Sequence, residues 1–168
     1  AIEAPAQEDF HGLSCWQPSP GCESQFLARL TWLGSKQGLD LQNIGERTWS
    51  RLIETGRIKG LLDWLTLDQA ELANIAGFGK RSSSRLLESL HRARQQPFPR
   101  WLKSLGLPPS GSADLSGPWQ TLALKSSQDW QDEAGIGAER AAQLTAFFRD
   151  PQVLALRATL SEAGIEGF

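Results

Sequence analysis

The chain has no methionine and no tyrosine, and only two cysteines in 168 residues. Without methionine, a sequence that opens Ala-Ile-Glu reads as part of a longer protein. Two cysteines, Cys15 and Cys22, are too few for a disulfide framework at this size, which fits a reducing compartment. Apolar runs last only a few residues, so no segment spans a bilayer, and no basic-then-apolar leader marks secretion. No stretch alternates convincingly enough to be a strand. These absences leave an α-helical, cytoplasmic protein as the expectation.

The formal net charge is −2, which by itself argues against a nucleic-acid partner. Its distribution argues the other way. From Lys80 to Lys103 there are seven Lys or Arg against the single acid Glu88, a local surplus of six, and the remainder of the chain is acidic. A run of this kind is ordinarily a solvated helix face. Here it begins directly after a turn whose composition suits an anion.

That turn is Gly77-Phe78-Gly79, set between two apolar helical segments and followed by Lys80 and Arg81. Glycine tolerates positive φ and leaves no Cβ between backbone and ligand. The first turn of a helix exposes unpaired N–H groups at the positive end of its dipole, which together favour a phosphate. The plan of small residue, apolar residue, glycine and helix recurs. Asn43-Ile44-Gly45-Glu46-Arg47 and Gly135-Ile136-Gly137-Ala138-Glu139-Arg140 repeat it, and Leu105 to Gly111 keeps only the final glycine. The residues expected to face a phosphate are therefore Gly45, Arg47, Gly77, Phe78, Gly79, Lys80, Arg81, Arg85, Gly111, Gly135, Gly137, Ala138 and Arg140.

Around these turns the 3–4 spacing of apolar residues predicts helices in series. One starts near Glu23, with Phe26, Leu27, Leu30 and Leu33 inward and Gly34 as its stop. Others cover Thr48–Ile53, Ile58–Leu65, a segment capped by Thr66 and ending near Ala73, Lys80–Arg94, and a helix opening at Pro99. Leu107 to Pro118 is expected to be loop with a short helix at most. Helices then follow from Ser126, from Glu139 to Phe148, and from Asp150-Pro151 to Ala163. Residues 1–22 show no period and form an irregular arm; residues 23–168 form one compact all-α domain. Among the seven tryptophans, Trp32, Trp49, Trp64 and Trp101 lie among leucines at helical spacing and are expected in the core. Trp16, Trp119 and Trp130 are undecided between packing and base stacking.

Serial units of this type resemble helix–hairpin–helix motifs, which hold DNA by its phosphates without reading sequence. In order, Leu39–Arg47, Leu72–Leu90, Phe98–Leu107 and Gly135–Arg140 resemble the four-motif domain of bacterial NAD⁺-dependent DNA ligases. Cys15 through Cys22, leading into Phe26–Leu30, resembles the second half of that family's four-cysteine zinc finger. The match is nearer the shorter, B-type branch, in which the finger is degenerate and the C-terminal BRCT domain is absent, and a chain ending at Phe168 agrees with this. Two hairpins are degenerate, since Asn43 replaces the usual glycine and the third unit keeps only Gly111. With two cysteines a four-cysteine zinc site does not form, and His11, Cys15 and Cys22 are expected in an unliganded arm.

The resemblance implies a non-catalytic region of an enzyme. The family adenylates a lysine in a Lys-x-Asp-Gly motif, and none of Lys36, Lys59, Lys80, Lys103 or Lys125 begins one. No cofactor is expected in this region. NAD⁺ and a divalent metal such as Mg²⁺ would serve the parent enzyme, whose adenylation and OB-fold domains would be neighbours in the chain, with nicked double-stranded DNA as partner and no membrane. Two other readings stand beside it. A helix–hairpin–helix DNA glycosylase needs an Asp about twenty residues after its hairpin, and none occurs between Asp68 and Asp114. A helical protein-interaction domain, with hairpins as structural turns only, accords with the acidic total.

Overall fold

The computed structural model describes residues 13, 15–75 and 77–168. Among the described residues there are nine α-helices and no strand: α1 Glu23–Gly34, α2 Glu46–Glu54, α3 Gln69–Ala73, α4 Lys80–Ala93, α5 Phe98–Ser104, α6 Trp119–Ala123, α7 Ser127–Ala134, α8 Ala138–Phe147 and α9 Pro151–Glu162. The all-α expectation holds. Helices flanking a turn pack on each other, as α1 on α2, α3 on α4 and α7 on α8, and α1 also packs on α5.

One continuous apolar core runs through the helices. Phe26, Leu30 and Leu33 of α1, Trp49 and Leu52 of α2, Leu86 and Leu90 of α4, and Trp101 and Leu102 of α5 are buried in it. Each such side chain contributes roughly 1.5–3 kcal/mol on leaving water. The rings of Trp64 and Trp101 stack with centroids 6.0 Å apart, and those of Trp130 and Phe148 likewise at 6.0 Å. Trp16, Trp119 and Trp130 are all core residues, so none is a stacking platform for bases. Trp32 is only half-buried and donates from Nε1 to Lys103 O at 2.7 Å.

Three local expectations are corrected. Ile58–Leu65 is not a helix; only a short 3₁₀ turn forms, at Asp63–Thr66. The Asp63 carboxylate accepts from the Lys59 and Gly60 amides, fixing the preceding residues as a turn and delaying the start. Thr66 does not cap α3, because its hydroxyl donates back to Asp63 O, and Asp68 caps instead by accepting from Glu71 N. Helix α6 was not foreseen: its buried pair Trp119 and Leu122 is too short a pattern to register as a period.

Helix starts that were foreseen have plain causes. Ser126 and Asp129 form a reciprocal capping box on α7, and Asp150 accepts from Gln152 N ahead of Pro151 on α9. The chain closes on Phe98, which meets Phe168 edge-on at 4.9 Å and fills space that a side chain at Gly117 or Gly167 would need. Trp119 N donates to Gly167 O at 2.8 Å, tying α6 to the last residues.

The described part of the arm is anchored, not loose. Arg29 on α1 donates from Nε to Cys15 O at 2.6 Å and lies over the Trp16 ring at 3.5 Å. Gln17 reaches α9 through Gln152. Cys15 and Cys22 are joined by a disulfide, so their small number does not support a reducing compartment. The segment between them turns through Pro18, Pro20 and Gly21, bringing their Cα atoms to 5.6 Å. His11, weighed as a metal ligand, lies outside the described residues. Among those described there is no cluster of three or more His, Cys, Asp or Glu arranged to hold a metal ion, and no helix long and apolar enough to cross a membrane.

Candidate nucleic-acid interface

Three of the four turns have the same backbone. Each starts with a residue in the left-handed region, Asn43 at φ 63°, Gly77 at 90° and Gly135 at 64°. An apolar residue follows and turns inward, buried at Ile44 and half-buried at Phe78 and Ile136. Next comes an extended glycine that is the N-cap of a helix: Gly45 before α2, Gly79 before α4 and Gly137 before α8. The glycine carbonyl accepts the first helical bond in each, from Trp49 N at 3.1 Å, Ser83 N at 2.9 Å and Ala141 N at 3.0 Å. Asn43 thus keeps the conformation in which the other turns use glycine, as asparagine can.

The N-cap glycines have no steric reason within the chain to be glycine. Their φ values are negative, and a Cβ at Gly45, Gly79 or Gly137 would meet nothing within 4 Å. None provides a side-chain cap, although Asp, Ser or Asn would satisfy an amide of the first turn. Of the helices that do not follow such a turn, α3, α7 and α9 use Asp68, Ser126 and Asp150 for that purpose, while α1, α5 and α6 have no side-chain cap either and take Cys22, Pro97 and Pro118 as N-caps. What the three glycines share is an uncapped helix N-terminus opening on free space, which a phosphate oxygen can approach closely.

The charges differ among the three. Helix α4 begins Lys80-Arg81 with no acid in its first turn, and Lys80, Arg81 and Arg85 are exposed. Helices α2 and α8 carry Glu46 and Glu139 in theirs. Arg47 is exposed, Arg140 half-buried, and Ala138 exposed at the first position of α8. Gly111 stands apart: its φ is 56°, but no helix follows until Trp119. The third unit therefore presents no helix N-terminus of this kind.

The structure brings the first two turns together. Asn43, Arg47 and Arg51 line one side of a cleft whose other side is formed by Gly77, Phe78 and Arg85. The fourth turn lies outside it and packs through α7, where Lys125 pairs with Glu133 beside Asp129 and Asp132. The Asp129 carboxyl is held below the usual carboxylate range, first by the Ser126 backbone N–H and then by the Ser126 side chain. Arg51 is the cleft residue that sequence reasoning missed. Its signal was present, four residues after Arg47 and hence on the same helical face.

No family model matches the chain. It is 65% identical over 167 residues to a DNA ligase B of Pseudomonas fluorescens strain Pf0-1 and 42% identical over 167 residues to a DNA ligase B of Pseudomonas putida strain W619. Each match takes in 99% of this chain, which spans 30% of the relative's length. The resemblance carried by the motifs thus extends over nearly the whole chain, which is similar to a segment of proteins named DNA ligase B.

Proposed function

We propose that this chain is the duplex-binding part of an NAD⁺-dependent DNA ligase, holding nicked DNA by its phosphates from the minor-groove side without reading sequence. The observation that carries this reading is the set of three bare glycine N-caps that follow left-handed turns, each open to an approaching oxygen. Phosphate contacts of this kind position a protein without specifying a base, and backbone N–H donors require no positive net charge. The parent enzyme would act in the cytoplasm in replication or repair, adenylating itself with NAD⁺, passing AMP to a 5′-phosphate and sealing the nick. That location rests on the ligase likeness and not on the cysteines, which are paired.

The chemistry belongs elsewhere in such an enzyme. No lysine here begins a Lys-x-Asp-Gly motif, so NAD⁺ and Mg²⁺ would be handled by adenylation and OB-fold domains in the rest of the chain. This region supplies grip. If the turns and the basic run neutralise roughly three to five phosphates, the log–log salt slope is about −3 to −4.5.

The test is fluorescence anisotropy of the chain with nicked and intact duplex across a salt series. Gly79→Val places a side chain where the oxygen would sit, and its Cβ meets nothing within 4 Å in the protein, so it weakens binding more than Lys36→Ala does. Equal losses, or no salt-sensitive binding by the wild type, would overturn the reading. The second reading, a helical protein-interaction domain, draws on Leu124, which is 77% exposed beside the acids of α7. It predicts no DNA binding at any salt concentration.

A further inference from the structure

The second hairpin is supported from outside its own helix pair. Arg51 of α2 lies against the turn: a Cβ at Gly77 would overlap its Nη1 and sit 3.0 Å from its Cζ. Cζ is also 5.8 Å from the Phe78 ring centroid, within reach of a cation–π attraction. Gly77 therefore has two reasons to be glycine, its φ of 90° and the guanidinium packed on its open face. Hydrogen bonds brace the same junction. Ser89 Oγ on α4 donates to Gln42 O of the first hairpin at 2.5 Å, and Gln96 Nε2 donates to Leu39 O at 3.0 Å.

Between the braced parts is the cleft carrying Arg47, Arg51 and Arg85, and no carboxylate lines it. Among the described residues none of the three guanidinium groups has an ion pair or a hydrogen bond. Three cations facing one hollow repel one another, and Arg47 and Arg51 do so at helical i, i+4 spacing as well. An anion relieves that repulsion. The planar guanidinium fork fits two oxygens of a phosphate, and the partly enclosed wall strengthens the contact relative to open water.

We propose that this cleft seats one backbone phosphate of DNA, shared by Arg47, Arg51 and Arg85, and that Arg51 couples the first hairpin to the second. The proposal rests on the duplex-binding reading. It changes the unit of binding from four separate turns to a joined pair, in which a phosphate bound at one hairpin also fixes the other.

The experiment uses the 168-residue chain, a fluorescein-labelled nicked duplex, a KCl series and a thermal melt of each variant. Arg51→Ala binds about tenfold more weakly, with a salt slope less steep by about 0.9. Arg51→Lys keeps the slope and recovers part of the affinity, because it retains the charge without the fork. Arg85→Ala, whose side chain is exposed, gives the same loss of slope with an unchanged Tm, so it decides the matter even if Arg51→Ala folds poorly. Lys59→Ala changes neither quantity. Salt-sensitive binding by the wild type with the slope unaltered in both arginine-to-alanine variants would overturn the shared seat and leave the duplex-binding reading standing. A lower Tm for Arg51→Ala without loss of slope would also overturn it, by making Arg51 a support for the turn only. Absence of salt-sensitive binding by the wild type would remove the parent reading and this inference together.

Discussion

At the second hairpin, Gly77 and Gly79 lead into a helix that opens Lys80-Arg81 with no acid in its first turn. At the fourth, Gly135 and Gly137 lead into one that opens Ala138-Glu139-Arg140. The backbones match, with left-handed glycines at φ 90° and 64° and extended N-cap glycines after them. The settings oppose each other: residues 36–103 carry twelve Lys or Arg against seven Asp or Glu, while residues 104–168 carry four against eight. A helix N-terminus favours negative charge. Helix α8 meets that preference itself through Glu139. Helix α4 leaves it unmet and places two cations where they are least welcome, which costs the fold and suits an external anion. The comparison teaches that the motif fixes where an oxygen can approach, and the side chains after it decide whether one is invited.

The largest effect is expected from reversing the second hairpin. Lys80→Glu with Arg81→Glu removes the two proposed phosphate partners and sets two acids in their place, so affinity for duplex at low salt is expected to fall on the order of 100-fold. Stability moves the other way. Acids in the first turn complement the dipole by roughly 0.3–1 kcal/mol each, raising Tm by about 2 °C or more. Anisotropy and a thermal melt on one sample check both. Loss of binding with a lower Tm would mean that Lys80 and Arg81 serve the fold, and the contrast with α8 would collapse.

A smaller effect is expected from making the fourth hairpin resemble the second. Glu139→Lys removes an acid that competes with phosphate and adds a cation, so affinity rises by about threefold to tenfold at low salt, and the gain fades as salt screens it. The helix loses about 0.5 kcal/mol as its N-terminal acid goes. Titration of the variant against wild type across the salt series measures the gain. Unchanged affinity at low salt would place the fourth hairpin away from the bound DNA.

Much of this arrangement was legible in the sequence because it depends on local chemistry. Gly-x-Gly turns, an Asp-Pro start and a Ser–Asp capping box act over a few residues, so α1, α4, α7, α8 and α9 fell close to their expected bounds. The misses depended on competition. Thr66 and Asp68 were both able to cap α3, and the choice turned on Thr66 being held by Asp63 O. Trp119, Trp130 and Trp16 had no helical neighbours in sequence to reveal burial that partners distant in the chain, Phe168, Phe148 and Arg29, supply. Arg51 was missed for the same reason. Its i, i+4 spacing from Arg47 put the two on one helical face, but what that face meets, a turn whose first glycine lies 26 positions later, is recorded in no local pattern. Asn43, read as making its hairpin degenerate, keeps the left-handed conformation of the turn at φ 63°.

The smallest expected effect asks whether the two hairpins are separable units. Helix α7 leads into the fourth turn and is capped by Ser126 and Asp129, whose carboxyl is held below its ordinary range by the Ser126 N–H. A depressed carboxylate stabilises the native state above its unfolded pKa, and that contribution is lost as pH falls through the folded value, here below about 4. Protection of the α7 amides and of Gly135 to Gly137 against hydrogen exchange should therefore weaken over that acidic range more in wild type than in Asp129→Asn, which has no carboxylate to protonate. The difference between the two proteins should stay within α7 and α8, because α3 has its own cap at Asp68 and α4 packs on α3. If it spread equally into α4 and the second hairpin, the chain would soften as one body. The fourth hairpin's acidic setting would then act on the cationic cleft as well, and the contrast between the two regions would be one of charge alone.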